Sequence, residues 1–577
     1  MAFLLQRRNL KDHVQRQLSN FHDLERRNTA LRNKSRPAGD ISSDPEESTE
    51  NEKGDEIERS KDANAIEHPY TCIPGITLVH TPNGKDAYVV GWNSPEDPQN
   101  PHNWTYMRRF KTVLILFLIA FVVPAASSID AAVLKPAAQD LGVAKVTEAL
   151  GGTGIFLVGL AFGALICSPL SELVGRFPVY LVALVLFGIW EMAAALAPNI
   201  GAQIAFRFLA GLCGAPPFTV AGGSLSDIFD SREKTWAFPI FAISGFGSPT
   251  LGPVMGAWIG TDGWSWRWAE WTILIVDGIV IVLVLMCNEE TLASRLLETK
   301  AAYFREMTGD DCFTSQPDRA ALGPMLKTAF ARPFILAREP IVLAWTFYLV
   351  IVYIVLFTFL DGYTYIFKRV YGIGHELTSV CFVGLFIGIV LHAFIIPIVY
   401  QQTVRRANRR HDAEESGSHT NRDRELRLLF AIIGAPAVPV GLFWMAWTDM
   451  PSISIWSPLV ASVFIGFGFI SIYVSAYMYI IDAYEVHAAS ALTFTALVRY
   501  LAGGGTRTRR HLLSVTCADL NPRHDGSWCA ILSEYGSELH AYDSGMHQCD
   551  CGAYPVCAVE MGTEDPGEES VCVLRRS

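Results

Sequence analysis

Residues 112–126 read TVLILFLIAFVVPAA, and residues 273–286 read ILIVDGIVIVLVLM. Asp277 is the single charged residue in these two stretches, and neither stretch has a polar side at helical spacing. An apolar window of about 20 residues matches the hydrocarbon thickness of a lipid bilayer. Both stretches therefore predict membrane-spanning helices.

The composition of the whole chain agrees with this prediction. Half of the 577 residues are hydrophobic and 18% are charged, whereas soluble domains carry roughly 25% charged residues. The polar residues are concentrated before residue 109 and after residue 505, which leaves a long apolar region between them. A soluble enzyme, a nucleic-acid-binding protein and a secreted disulfide scaffold all fit this distribution poorly.

The first 108 residues are predicted to form a cytoplasmic tail that is disordered or amphipathic. The chain has 57 acidic and 46 basic residues, and much of the acid lies in Asp44–Glu58. That segment has no apolar period, so we expect it to be disordered. Residues 1–35 fit either a basic amphipathic helix on the inner leaflet or a frayed polar tail.

Eleven apolar windows are long enough to be spans, in a group of six and a group of five. They fall near residues 109–131, 149–170, 179–197, 200–222, 237–259, 269–287, 341–360, 378–399, 428–447, 454–481 and 488–505. This layout predicts a first six-helix half at 109–288, a linker at 289–340 and a second half at 341–505. Two parallel six-helix repeats of this kind can rock about a site near the bilayer midplane.

The basic residues predict the orientation of these spans. The 289–340 linker holds seven Lys or Arg residues, and the 401–427 loop holds seven Arg residues. Because basic loops stay on the cytoplasmic side, the N-terminus and the linker are predicted to be cytoplasmic. We expect a multi-pass protein of the plasma membrane whose partners are lipid, protons and a small-molecule substrate, without nucleic acid, and which acts as a monomer.

The common signatures of enzyme chemistry are absent from the sequence. No GxxxxGK[ST] phosphate loop, HExxH zinc motif or GxSxG nucleophile motif occurs in the chain. We therefore expect no catalytic residues, no metal and no cofactor. Any transport work has to come from an ion gradient, and protons are the ion that we expect.

The loop after the second span carries the most specific motif of the chain. It reads GALICSPLSELVGR from Gly163 to Arg176 and is followed by Phe177. The motif positions are Gly163, Pro169, Ser171, Glu172, Gly175 and Arg176. This loop resembles the first-half loop of the major facilitator superfamily, in the form found in fungal drug:proton antiporters. A second basic residue is usual where Phe177 stands.

Four further stretches strengthen this resemblance, which covers about residues 90 to 505. They are DPQNPHNW at 97–104, RFLAG at 207–211, GPVMG at 252–256 and IDAY at 481–484 followed by AASA at 488–491. The resemblance implies a major facilitator fold and the export of small hydrophobic or cationic compounds in exchange for protons. A polyamine or other metabolite porter shares the same motifs. The alternatives of another class are a non-transporting membrane sensor and an inactive truncated product.

The resemblance also implies roles for particular residues. Asp227 would pair with Arg176 in a cytoplasmic latch, and Arg207 would take part in proton coupling. The antiporter motif of the fifth span, Gly252, Pro253 and Gly256, would form a close-packed helix that seals the outer leak path.

Acidic residues inside spans are further candidates for proton coupling, because a carboxylate in lipid is costly unless it is paired or can take up a proton. Glu191 and Asp277 are the candidates. Asp130 and Asp361 lie near the predicted interfaces and are expected to be solvated caps. His392 is expected to be a hydrogen-bonded interior group.

Residues 506–577 form a polar, cysteine-rich tail that follows Gly503–Gly505. We expect the helix of the eleventh span to end at these glycines, and no further apolar window of span length follows. Six of the twelve cysteines fall between Cys517 and Cys572, but their spacing fits no common zinc pattern. The abrupt change in composition favours an aberrant tail in place of a twelfth span.

Overall fold

The structure is a computed structural model, and it describes residues 1–34, 69–80, 86–144, 147–148, 150–259, 264–315, 330–411, 425–484 and 488–520. The acidic segment Asp44–Glu58 and most of the cysteine-rich tail lie outside these residues. Residues 1–512 form one compact unit, and the account below concerns that unit.

Helices form the first half of the membrane domain. They are α2 (Tyr106–Asp140), α3 (Ile155–Val174), α4 (Arg176–Ala195), α5 (Ile200–Cys213), the short α6 (Pro216–Thr219), α7 (Ala221–Ile228), α8 (Ser231–Ile259) and α9 (Trp268–Cys287); α1 (Ala2–Lys34) precedes them. Asn199 caps α5, since its side chain accepts a hydrogen bond from the backbone N–H of Ala202 at 2.9 Å.

The linker and the second half continue the helical pattern. Their helices are α10 (Ala293–Thr308), α11 (Pro340–Tyr365), the short α12 (His375–Val380), α13 (Val383–His411), α14 (Leu428–Gly434), α15 (Ala437–Thr448), α16 (Trp456–Tyr484) and α17 (Ala488–Leu520).

Every predicted span coincides with one of these helices or with a run of two or three of them. Within the described residues, nine helical segments are long and apolar enough to cross a bilayer, so the prediction of an all-helical, multi-pass membrane fold is confirmed. The two remaining predicted spans are α8 and α17. Glycine, serine and proline make α8 less apolar, and Arg499 with three glycines does the same for α17.

The expectation that α17 ends at Gly503–Gly505 is wrong, because the helix continues to Leu520. Packing explains why these glycines stay helical. A Cβ atom at Gly503 would come within 2.7 Å of the Tyr353 ring, and one at Gly504 within 3.0 Å of the Gly154 carbonyl oxygen. The missing side chains let the helix pass close to its neighbours.

Small residues also bring α8 against α2. A Cβ atom at Gly252 would collide with the Ser128 hydroxyl, and one at Gly256 would lie 2.7 Å from the carbonyl oxygen of Ile129. Pro253 lies between these two glycines, inside α8. The predicted close-packed helix of the fifth span is thus present, with α2 as its partner.

A small folded unit lies at the membrane domain's N-terminal face, which we define as the face that carries α1 and α10. Strands β1 (Ile76–His80) and β2 (Asp86–Val90) pair antiparallel, with Ile76 opposite Val90. Strand β3 (Phe313–Thr314) adds to β2 in parallel, with Tyr88 opposite Phe313.

The core of this N-terminal unit is apolar. It contains residues of α1, the sheet and α10, among them Val14, Leu18, Tyr88, Phe304 and Phe313. Residues 2–34 are therefore a helix, and Val14 and Leu18 are one turn apart on its buried side. Of the two alternatives for residues 1–35, the helix is therefore the one present, and its apolar side packs on protein.

Candidate functional site

Arg207 forms the centre of a buried charge cluster in the first half. Its side chain is 0% exposed. One guanidinium nitrogen lies 2.7 Å from the Asp130 carboxylate and also contacts Glu270, while the other lies 3.2 Å from Glu191. Helices α2, α4, α5 and α9 each supply one member of this group, so the cluster joins four helices.

The charges of this cluster do not balance. Asp130, Glu191 and Glu270 are three carboxyl groups around one arginine, and all four side chains are buried. If all three were ionised, two buried negative charges would have no balancing cation. Their desolvation would cost far more free energy than the ion pair with Arg207 returns. The cluster therefore holds protons on its carboxyl groups, and these protons are shared among the interacting sites.

Asp277 lies on the same side of α9 as Glu270, two helical turns further along. Its carboxylate faces Gly188 of α4, where a Cβ atom would come within 2.6 Å of it. Neither of its oxygens has a hydrogen-bond partner among the described residues. Asp277 acts electrostatically on Glu191 but does not contact Arg207. It is therefore a neighbour of the cluster and not a partner of Arg207.

Two members of the cluster were not anticipated as such. Asp130 was expected to be a solvated cap, which is wrong, because it is buried and paired with Arg207. Glu270 was not a candidate. Its seven-residue spacing from Asp277 is the signal that could have found it, since two helical turns put both acids on one side of α9.

A buried hydrogen bond lies next to the cluster, toward the face opposite the N-terminal face. Gln203, one turn before Arg207 in α5, donates to Glu148 at 2.9 Å. The charges of Asp130 and Arg207 both act on Glu148. Polar groups thus continue from the cluster to the end of the helix bundle.

The predicted latch is assembled on the N-terminal face. Nε of Arg176 lies 3.2 Å from the Asp227 carboxylate, and its Nη1 donates to the Ser171 hydroxyl at 2.7 Å. Glu172 contributes to the negative potential at Arg176, whose ion pair is with Asp227. The structure therefore pairs Arg176 with Asp227, as the resemblance implied, and adds Ser171 as a second partner of Arg176.

Two glycines and a proline shape this region. Gly163 packs α3 directly on the backbone of Leu212 in α5, and Pro169 lies inside α3. Gly175 adopts φ = +110°, a conformation that side chains other than glycine rarely take. A Cβ atom at Gly175 would also meet the Glu290 carboxylate at 2.5 Å.

Glu290, which the sequence did not single out, completes the latch. Its carboxylate accepts hydrogen bonds from the backbone N–H groups of Arg176 at 2.9 Å and Phe177 at 3.2 Å. These groups are the first donors of α4, where a helix favours negative charge. Burial nevertheless raises the pKa of Glu290, which lies beyond the end of α9.

Helix α1 contacts the same place. The Phe3 ring stacks on Phe177 with centroids 4.3 Å apart. Gln6 donates to the Glu290 carbonyl at 3.0 Å and accepts from the Glu290 backbone N–H at 2.8 Å. Phe177, which replaces the usual second basic residue, is thus the docking point for the N-terminal helix.

A second contact on the N-terminal face joins the two halves. Arg427, just before α14, lies 2.8 Å from Asp482 of α16 and donates to the Thr235 hydroxyl of α8 at 2.6 Å. Asp482 belongs to the IDAY stretch, but its arginine partner had no motif to reveal it. This contact closes the N-terminal face beneath the central cavity.

The central cavity lies between the two halves and is small, with about 30 Å³ free for water. That is room for one or two water molecules. Residues of the first half that line it include Pro124, Ser127, Leu160, Phe218 and Phe246, and residues of the second half include Tyr353, Phe357, Tyr473, Arg499 and Tyr500.

Two other predicted residues are outside these groups. His392 is buried against Phe467, with ring centroids 5.7 Å apart. Neither of its nitrogens has a hydrogen-bond partner among the described residues, so the expectation of a hydrogen-bonded histidine is wrong. Asp361 belongs to α11, but its side chain lies outside what the structure describes.

Comparison with known proteins places these features in a family. The profile of the Major Facilitator Superfamily matches residues 116–505. The MFS-type transporters kojT of Aspergillus flavus and Aspergillus oryzae are each 43% identical over 442 residues, which is 75% of this chain and 78% of theirs. The efflux pump radE of Floropilus chiversii is 29% identical over 445 residues, 76% of this chain and 81% of its own.

A solved structure of the proton:xylose symporter XylE, bound to 6-bromo-6-deoxy-D-glucose, superposes with a TM-score of 0.50. It covers 76% of this chain and 96% of its own at 12% identity, so the likeness concerns the fold alone. The family profile and the kojT relatives show that this chain belongs to the Major Facilitator Superfamily and is a transporter, not an enzyme.

Proposed function

We propose that the protein is a proton-driven exporter of small organic compounds in the plasma membrane. The observation that carries this proposal is the buried cluster of Arg207 with Asp130, Glu191 and Glu270. Its carboxyl groups cannot all be ionised at once, so the cluster gains or loses protons when its surroundings change. A transporter couples to a proton gradient through such a group.

The arrangement of the halves supports alternating access. The cavity lies between them, and Arg427 with Thr235 bonds one half to the other on the N-terminal face. We place that face in the cytoplasm, following the distribution of basic residues. Opening of the cavity to the cytoplasm then requires the Arg427 contact to break, while the first-half latch around Arg176 rearranges beside it.

The direction of transport is proposed to be outward. The resemblance to fungal drug:proton antiporters supports this direction, as does the similarity to the efflux pump radE. No phosphate loop occurs in the sequence, so the proton gradient is the energy source, and we propose that the chain works as a monomer without a cofactor.

The polyamine alternative is less well supported. A polyamine carries several positive charges and needs carboxylates in its binding site. Among the described residues that line the central cavity, none is acidic, and one is an arginine.

Efflux from cells that express the full chain tests the proposal. The cells are loaded with a panel of small toxic compounds, and efflux of each is compared with that of cells carrying an empty vector. A protonophore should stop chain-dependent efflux while cellular ATP is held constant. Efflux that persists without the proton gradient would contradict the coupling, and the absence of chain-dependent efflux for every compound would favour the sensor or inactive product.

A further inference from the structure

The central cavity contains a buried cation, Arg499, that forms no ion pair with any Asp or Glu among the described residues. Arg499 of α17 is 3% exposed, and its Nε has no hydrogen-bond partner among the described residues. The strongest charge interactions of Arg499 are with four tyrosines and not with a carboxylate. Arg207, in contrast, has three carboxyl partners.

The tyrosines surround the guanidinium with their rings. Its central carbon lies 4.8 Å from the ring centroid of Tyr500, 5.1 Å from those of Tyr353 and Tyr473, and 5.6 Å from that of Tyr477. Cation–π contacts hold the arginine in place. They do not neutralise its charge, so a full positive charge remains in a site from which water is almost excluded.

The walls around this charge are flat and apolar, and they belong to both halves. Phe246 of α8 packs edge-on against Tyr473 with centroids 4.6 Å apart, and Phe357 packs edge-on against Tyr353 at 4.8 Å. A ligand that reaches Arg499 would therefore lie between aromatic side chains of the first and second halves.

We propose that this cavity binds a small planar organic acid, and that Arg499 pairs with its carboxylate, phenolate or enolate oxygens. A guanidinium offers planar, paired donors that match such oxygens. The aromatic walls match a ring-sized body. Cations are disfavoured, because Arg499 already contacts the tyrosine rings and no carboxylate of the described residues pairs with it.

This assignment rests on the proposed function, since it names the substrate class of the same transporter. It replaces the hydrophobic or cationic compounds that the resemblance implied with compounds that carry an acidic group. The charge of Arg499 becomes balanced only when the ligand is bound. Because the cavity has room for one or two water molecules here, a ring-sized ligand requires the two halves to move apart from this arrangement.

Heat unfolding of the purified full chain tests the assignment without any proton gradient. The probes are benzoate and 4-hydroxybenzoate as acids, benzamide as a neutral analogue of the same shape, and spermidine as a cation. The acids should raise the unfolding midpoint by about 2 °C or more at millimolar concentration. Benzamide and spermidine should leave the midpoint unchanged.

Two substitutions and a matched control locate the effect. Arg499→Gln should weaken benzoate binding by at least roughly tenfold, and Arg499→Lys should weaken it less, because the charge is kept while the paired donors are lost. Arg338→Gln removes an exposed arginine before α11 and should bind benzoate like the wild type. If the Gln variant does not fold, the Lys variant and the response of the wild type to the four probes still test whether Arg499 binds the acid.

The assignment would be overturned if neither acid raised the unfolding midpoint of the wild type. It would also be overturned if benzamide or spermidine raised the midpoint as much as the acids do. Equal benzoate binding by the wild type and Arg499→Lys or Arg499→Gln would overturn it as well. A benzoate shift that is kept in a chain whose efflux ignores protonophore would contradict the proposed function and leave this binding site standing.

Discussion

Phe3 and Phe177 stack with ring centroids 4.3 Å apart, so the first turn of α1 is attached to the first turn of α4. The stack lies beside Arg176 and Glu290, which hold the latch together. The N-terminal helix is therefore a part of the latch and not an appendage.

Phe3→Ala should release the beginning of α1. The stack contributes about 1 kcal/mol beyond the burial of the ring, and its loss should raise hydrogen–deuterium exchange in residues 2–10 several-fold while the transmembrane helices keep their protection. Leu24→Ala is the matched control, since this leucine of the same helix is 56% exposed. Equal exchange in the two variants would show that α1 is held by other contacts.

Arg176→Ala should leave membrane insertion intact but reduce export sharply. The substitution leaves the half-buried Asp227 without its cation, which destabilises the latched state. Export is measured in cells at matched expression, with Arg338→Gln as an exposed control. Normal efflux by the Ala variant would show that the latch is dispensable.

Arg207→Ala should abolish accumulation against a gradient more than it weakens substrate binding. Without the arginine, Asp130, Glu191 and Glu270 can remain buried only in protonated form, and the cluster can no longer release protons. The measurement compares gradient-driven uptake into inverted vesicles with equilibrium binding to the purified chain. A parallel loss of both would indicate a structural role, and Glu298→Gln on α10 serves as the control outside the membrane.

Gly252→Val should prevent α8 from packing against α2. Its side chain would overlap with the Ser128 hydroxyl, and overpacking of this kind costs about 1–3 kcal/mol or more when backbone must move. The expected result is a lower unfolding midpoint and lower expression. Gly278→Val is the matched control, because nothing lies within 4 Å of a Cβ atom at that helical glycine.

The N-terminal unit should become more stable as the pH rises above 8. Lys300 of α10 is buried, and burial lowers its pKa from 10.5 to about 8. Below pH 8 both the folded and the unfolded states carry the proton, so the cost of burying the charge is present in full. Between pH 8 and 10.5 the unfolded state binds more protons than the folded state, and stability therefore rises, by at most about 3 kcal/mol.

Proteinase K, which is active across this range, should cut α10 in the full chain more slowly at pH 9.5 than at pH 7. Lys300→Arg keeps its charge at both values and should lose the difference. A wild-type chain that is cut faster at the higher pH would contradict the sign of the effect. Deprotonation of His13 should also make the N-terminal unit more stable as the pH rises, in a lower pH range. Burial and the nearby Lys300 lower the pKa of this histidine.

Apolar windows predicted the membrane helices correctly for a physical reason, because bilayer thickness imposes a length on each span. The pairing of Arg176 with Asp227, 51 positions apart, came from the family resemblance and not from a local pattern. The partner of a buried charge is different. Asp130 and Glu270 meet Arg207 only through the packing of α2, α5 and α9, which no local pattern reports.

The N-terminal unit escaped prediction for a related reason. Val14 and Leu18 are a sparse apolar stripe on a basic helix, and their partners Phe304 and Phe313 come from the linker. The sequence of α1 and that of the linker each look polar when taken alone, because each contributes only a few residues to a small core. The Arg499 site was hidden in the same way, since its tyrosines come from α11, α16 and α17.

The pairing of Tyr88 with Phe313 has a consequence for biosynthesis. The entire first half of the membrane domain is made between these two residues, so a ribosome working at about 5–20 residues per second needs on the order of 10–40 s to pass from one to the other. During that time Phe304 and Phe313 are missing from the core around α1 and the edge of β2 has no partner, and a nascent chain must keep both from aggregating. Closure of the sheet then occurs only after α9 has been synthesised, so the N-terminal unit is the last part of the first half to be completed.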